Sequence, residues 1–450
     1  MRHYLTRPRA IAIAAGLLLS SCAATESVTP SSQQPSTTAA TASAPVATAP
    51  IQGQLSQDQA VRLALVNNKS LRALYYRSSL SESAMTDAIA SAEGRNTGDP
   101  LDQERRFIVA ATAPLSQTLA SEVDRRKADR TRTEVASEML QVSNAVRRAW
   151  IAAVASAENA RYLERALMSA EAGTELARRM VRVGNWPRLN ELRERAFQGE
   201  VAAQLARARQ AGVSEREKLT KLLGLWGNEA NYRLPDRLPD LPASPSELPN
   251  IEEVALRQRL DLQAARLGIF AEAREFALDG YDRGELFGYH RGEVSMSEED
   301  YFTENGRSRT IRVPVFDRQQ ARRDLKLLPY IQSVDRYEEL AVSARSEARE
   351  AYLGYRTAYD VAKHYRDTII PLRREISEEN LLRYNGMLIS VFELLTDARE
   401  QITSVTSYIE AQREFWTAET DLRLALTVGG AGGGAGRTVR LPGGSAAAGH

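Results

Sequence analysis

The chain has 450 residues, 59 Lys and Arg against 58 Asp and Glu, a formal charge of +1 and a single cysteine, Cys22. That length can hold one large fold or two ordinary domains, and a lone cysteine excludes an internal disulfide framework. Balanced charge, with no basic tail and no basic face interleaved with aromatics, excludes a nucleic-acid footprint.

The first element, residues 1–21, carries Arg2, Arg7 and Arg9 ahead of the apolar run "AIAIAAGLLL". The run is too short to cross a bilayer as a helix, and a basic start, short apolar core and small exit residues describe an export signal. Leu19-Ser20-Ser21-Cys22 resembles the bacterial lipoprotein signal. The resemblance implies cleavage before Cys22 and acylation of that residue. Ala23 in place of Asp implies sorting to the outer membrane. The alternative is a free or buried cysteine in an ordinary secretory signal. Residues 22–50 are rich in Ser, Thr, Ala and Pro, which bury too little apolar surface to offset ordering entropy; they read as a tether.

A short helix opens near Ser56, a plausible N-cap with Gln59 three residues on. After the punctuation "EGRNTGDP", the segment "RRFIVAATAPL" reads as a strand. A very long helix then runs from about Ser116 to Val181, with Val135, Met139, Val142, Val146, Trp150 and Val154 at three- and four-residue steps. At 1.5 Å per residue it spans roughly 100 Å, which suggests a coiled coil. It stops at "VGNWP", where Gly184 and Asn185 suit a left-handed turn and Pro187 the first turn of a returning helix. That helix ends near Leu225, and residues 228–250 form a proline-rich connector.

The plan then repeats. Residues 251–278 match the first short helix, "LFGYHRGEVSM" and "SRTIRVPVF" are strand candidates, and a second long helix runs from about Arg318 to Tyr384. Ala344, Ala348, Ala351, Tyr355, Ala358, Ala362, Tyr365, Ile369, Leu372 and Ile376 give it a sustained heptad seam. Pro371 interrupts the helix but not the rhythm, so a kink is expected. "YNGM" breaks it as "VGNW" broke the first, which pairs Gly386 with Gly184, and a returning helix carries Val391, Leu395, Ala398, Ile402, Val405 and Ile409. The body therefore reads as two repeats, 51–227 and 251–427, followed by a Gly-rich tail, 428–450, in which disorder is expected from Gly429 onward.

Enzyme chemistry has no visible seat. His290, His364 and His450 are far apart, and no metal-ligand spacing, phosphate loop or nucleophile elbow is present. No cofactor is expected. Asp and Glu sit mostly in charged helical runs that read as solvated faces.

The duplication, "TAPL" and "VPVFD" entering the long helices, and the turn pair "RRMVRVGNW" and "LLRYNGMLISVFELL" resemble the outer-membrane factors, the TolC-like exit ducts of tripartite efflux systems. The resemblance spans roughly residues 55–427. It implies a mainly α fold with a β-barrel contribution: long antiparallel coiled-coil hairpins in two structural repeats, assembled as a homotrimeric α-barrel with a shared twelve-stranded β-barrel in the outer membrane. It further implies a large periplasmic part, a periplasmic adaptor and an inner-membrane efflux pump as partners, and passive transport of small molecules or ions. The polar "SEEDYFTENG" suits an exposed loop of that barrel. Val183, Gly184, Asn185 and Trp186, with Asn385, Gly386, Met387 and Leu388, fall on the adaptor-docking tips. Arg178, Arg179, Arg182 and Arg383 bring positive charge to the mouth, where Glu379 and Asp397 are the acidic partners of a candidate gate. The alternative is a non-conducting coiled-coil lipoprotein with a structural or adhesive role.

Overall fold

The computed structural model describes residues 53–77, 108, 112, 122–277 and 318–429. The export signal, Cys22, the tether, the strand candidates of the second repeat and the tail beyond Gly429 lie outside them. In chain order the described helices are α1 (Gln57–Asn67), α2 (Lys69–Arg77), α3 (Glu122–Arg182), α4 (Arg188–Leu223), α5 (Ile251–Gln258), α6 (Leu260–Ala277), α7 (Arg318–His364), α8 (Ile370–Asn385) and α9 (Val391–Thr427). A π-helical turn, Tyr365–Ile369, joins α7 to α8 without a break.

The start of α1 is set locally. Ser56 Oγ accepts the Gln59 N–H at 3.3 Å, and Gln59 Oε1 accepts the Ser56 N–H at 3.0 Å. This reciprocal capping satisfies two donors that the first helical turn leaves over. Asn68 then divides the expected single helix in two: its backbone turns extended, and its Oδ1 caps α2 by accepting from Ser70 N at 2.9 Å. Arg259 makes the same extended break between α5 and α6.

The helices α3 and α4 form one antiparallel hairpin; α7 and α8 form the other with α9. The 61-residue α3 spans about 90 Å. The hairpins join through α3 against α9, so the packing order across the layer is α4, α3, α9, then α7 and α8. Two apolar cores lie along the layer, and α9 contributes to both, with Ile409 in the first and Phe415 in the second. Val135, Met139, Val146, Trp150 and Val154 of α3 pack with α1, α2 and the end of α4. Ala348, Tyr355, Tyr359 and Ala362 of α7 pack with Phe415, Ala418 and Leu422 of α9.

The connector is strapped across both hairpins. Tyr355 Oη accepts from Ser246 N at 3.0 Å, Tyr359 Oη donates to Ala243 O at 2.8 Å, and Trp416 Nε1 donates to Pro239 O at 3.0 Å. On the other side Leu238 N donates to Glu158 of α3 at 3.2 Å. Proline-rich backbone has few donors and no ladder to join, so tyrosine hydroxyls and a carboxylate take its free groups.

Other expectations meet the structure at particular residues. Within "RRFIVAATAPL", whose other residues lie outside the described ones, Thr112 N donates to Ile108 O at 3.0 Å and Thr112 Oγ1 to the same carbonyl at 3.1 Å, a helical contact at a position expected to be strand. Pro187 caps α4 from just outside it. Gly429 is not the first residue of a disordered tail; it is ordered and buried. At Pro371 the chain answers with the π-turn. Its ring would press on the carbonyl of residue 367 in a regular helix, and the Ile370 N–H instead bonds Tyr365 O, one residue further back.

Candidate functional site: the paired hairpin tips

The tips are two helix ends of the same design. At the first, Gly184 N donates to Val181 O at 3.0 Å and Asn185 N to Met180 O at 2.9 Å, with Gly184 at φ +78°. At the second, Met387 N donates to Tyr384 O at 2.9 Å and Leu388 N to Arg383 O at 2.8 Å, with Met387 at φ +60°. Both are Schellman turns, in which the residue after the cap takes the left-handed conformation. The equivalent of Gly184 is therefore Met387. Gly386, expected to be the left-handed residue, sits one place earlier at φ −78°. Asn185 and Asn385 are exposed beside these turns, and Trp186 is half-buried.

Both turns present apolar side chains to solvent. Met387 is 92% exposed, Leu388 77% and Val183 68%. Ser390 caps α9 behind the second turn, accepting from Glu393 N at 3.4 Å.

The charged residues form local pairs. Arg178 and Arg179 both bond Glu175, at 2.9 and 3.0 Å, and Arg383 bonds Glu379 at 3.0 Å. Within the chain the acidic partner of the first arginine pair is thus Glu175, which does not stand out in its charged helical run; Glu379 serves Arg383, and Asp397 is buried on α9. The Arg179 hydrogen bond, helped by the charges of Arg178, Arg179 and Arg182, holds the Glu175 carboxyl below its usual range.

Two to three turns above the tips the hairpins are locked together. Glu194 of α4 is buried and accepts Arg399 Nη2 of α9 at 2.5 Å, and Thr174 Oγ1 of α3 donates to the Glu194 carbonyl at 3.3 Å. The Arg399 guanidinium lies 4.5 Å from the centroid of Phe197. Gly173 permits the approach of α9, since a Cβ there would stand 3.0 Å from Leu395 Cδ2. Neither Glu194 nor Arg399 stands out in the sequence. The available signal was that Glu194 shares a helical face with Val201, Leu205 and Ala208.

Among the described residues no group of His, Cys, Asp and Glu is placed to hold a metal ion, and no helix is long and apolar enough to cross a membrane. Neither a protein-family model nor a curated protein sequence matches the chain. Solved structures do. CusC, solved in a study of folding and transmembrane channel formation, aligns over 84% of this chain and 93% of its own, with TM-score 0.57 and 16% identity. The CmeC outer membrane channel of Campylobacter jejuni aligns over 82% and 85%, with TM-score 0.56 and 14% identity. The open-state MtrE outer membrane channel of Neisseria gonorrhoeae aligns over 83% and 89%, with TM-score 0.51 and 16% identity.

The fold is that of these outer-membrane channels. Within this channel fold the two hairpins account for α3, α4 and α7 to α9, and the short helices and connector for the packing around their middle. The described residues contain an isolated bridge, Gln54 with Arg233, and no named strand.

Proposed function

We propose that the chain is one protomer of a passive outer-membrane exit duct. It acts as a homotrimer, anchored through acylated Cys22, with repeats 51–227 and 251–427 closing around a common axis. A periplasmic adaptor docks on the tips at Val183, Gly184, Asn185 and Trp186 and at Asn385, Gly386, Met387 and Leu388. An inner-membrane pump supplies the energy. Arg178, Arg179, Arg182, Glu379, Arg383 and Asp397 belong to the region of the periplasmic gate. Small molecules or ions are the cargo, and the duct performs no chemistry on them.

One observation carries this reading. Apolar side chains remain exposed on the outermost members of the layer, Leu189, Leu192 and Val213 on α4 and Val342, Leu353, Leu372 and Ile376 on α7 and α8. A finished monomer leaves few such stripes in water, whereas closure into a ring covers both edges at once. The fold shared with outer-membrane channels supports the same reading.

The test is purification of the full acylated protein from membranes, followed by native mass measurement and planar-bilayer recording. A trimer with discrete conductance steps is the expected result. A monomer at high concentration without channel events overturns it. A non-conducting coiled-coil spacer is the second reading, favoured by the helical bond between Thr112 and Ile108 where a barrel strand was expected. It predicts a trimer or monomer without conductance and without heat-modifiable gel migration.

A further inference from the structure

The π-turn changes which face of α8 meets α9. The heptad seam of α7 is buried at Ala344, Ala348, Tyr355 and Ala362, and it continues in sequence to Ile369, Leu372 and Ile376. In the structure Leu372 and Ile376 are 50% and 42% exposed, while Ile370, Arg373, Ser377 and Asn380 are the half-buried positions. That is a shift of one residue. A π-turn inserts one residue into the helical ladder, so everything after it rotates by about 100°. Arg373 consequently turns toward α9 and pairs with Glu400.

The displaced apolar pair is on the open edge of the layer. The other open edge, α4, carries its own exposed stripe. Leu189, Leu192, Ala196, Gly199 and Ala203 follow the three-four spacing of a coiled-coil seam and are all exposed, and a Cβ on Gly199 would meet nothing within 4 Å. Large residues stand out on α8, and small ones leave room on α4.

The heights agree. Thr174 with Glu194, Gly173 with Leu395, and Arg373 with Glu400 tie the helix ends of the two tips to within about a turn of one level. Ile376 and Leu372 lie about 14 and 20 Å above the Asn385 end of α8, and Ala196, Gly199 and Ala203 about 12–22 Å above the Arg188 end of α4. A symmetry axis parallel to the helices leaves heights unchanged, so residues level in one copy are level between copies. Both stripes have charged borders: Arg188, Arg195, Glu191 and Glu200 beside α4, and Glu375 and Glu379 beside α8, where Arg383 holds Glu379.

We infer that the π-turn moves Leu372 and Ile376 from the intramolecular seam to a subunit interface, where they dock over Ala196, Gly199 and Ala203 of α4 in a second copy. This rests on the trimer reading and assigns its interface near the tips. Packing large side chains over Ala and Gly lets the two helix backbones approach closely.

The test uses paired cysteines in the full chain, whose only native cysteine is Cys22. Ala196→Cys with Ile376→Cys is compared with Ala196→Cys with Ser377→Cys, each oxidised in membranes and run on non-reducing gels. The expected result is a ladder of covalent dimer and trimer for the Ile376→Cys pair and none for the Ser377→Cys pair. Cross-linking through Ser377→Cys instead overturns the register while leaving the trimer intact. A native trimer that links through neither pair overturns the interface. A native monomer that links through neither overturns the trimer reading itself.

Discussion

Gly429 rests directly on the guanidinium of Arg259: a Cβ on Gly429 would stand 1.5 Å from Arg259 Nη2. Arg259 is 2% exposed and bonds Asp261 at 2.6 Å and Glu347 at 2.7 Å. It holds the break between α5 and α6, the flank of α7 and the end of α9 in one junction. The end of α4 makes a comparable junction against α1 and α2 without charge. A Cβ on Gly224, at the end of α4, would stand 2.7 Å from Asn67 O, and Asn68 Nδ2 donates to Leu222 O at 3.2 Å.

Arg259→Ala removes the buried guanidinium that ties Asp261 to Glu347 and leaves a cavity under Gly429, and breaking a buried pair costs about 3–5 kcal/mol. Gly429→Ala is expected to destabilise as well, because φ is +74° there and the space is filled. Gly212→Ala is the control: its Cβ meets nothing within 4 Å, and helix propensity favours Ala by about 1 kcal/mol. Urea unfolding followed by helical circular dichroism should rank the three in that order, with Gly212→Ala at or above the parent.

The tips give a second prediction, in which the glycine that matters is not the one the sequence suggests. Met387 holds a left-handed conformation that costs a side-chain-bearing residue about 1–2 kcal/mol. Met387→Gly should therefore slow amide exchange at Leu388, whose N–H closes the turn. Gly184→Ala should speed exchange at Asn185. Gly386→Ala should change little, since its added Cβ would meet only ordinary contacts at 3.5 Å. A larger effect at Gly386 than at Gly184 would refute the turn equivalence.

Much of this architecture is legible from the chain because it rests on local rules. The Ser56–Gln59 box, the paired hairpins and the seam from Ala344 to Ala362 each follow from spacing or capping alone. What escapes is whatever depends on a third element. Arg259 and Glu194 look like members of solvated charge runs until α7 and α9 arrive to cover them. Tyr359 lies one place off the heptad and is buried because the connector crosses it. The π-turn is invisible to a pattern that continues through it, and Pro371 is the one local sign of it. Gly386 misleads for a related reason: glycine permits a left-handed turn but does not require one, and the hydrogen bonds place that turn on Met387.

Glu194 and Arg399 supply the third prediction. Glu194→Ala removes the buried partner and leaves Arg399 with the Phe197 ring, so a loss of about 3 kcal/mol is expected, typical for one half of a buried pair. A double-mutant cycle with Arg399→Met should recover part of that loss, because the remaining charge goes with its partner. Additive losses would mean that the contact does not couple the hairpins.

Acid titration separates two glutamates of opposite sign. Burial in α3 pushes Glu158 above the usual carboxylate range, against the opposing pull of the Leu238 N–H, Arg161 and Arg237. The folded state thus favours its protonated form, and its contribution to stability is present below the unfolded pKa and lost as pH rises through the raised folded value. Glu175 is the reverse. The Arg179 hydrogen bond lowers it, so its contribution is present above the unfolded pKa and lost as pH falls through the folded value. Glu158→Gln should raise the thermal midpoint at neutral pH and leave it near the parent in acid, with the Leu238 N–H still accepted by the amide oxygen. Glu175→Gln should lower the midpoint at neutral pH and converge with the parent in acid. Midpoints followed from roughly pH 3 to 7, the span over which carboxylates titrate, check both signs in one series. Parallel curves for the two variants would show that neither carboxyl is set by the neighbours named here.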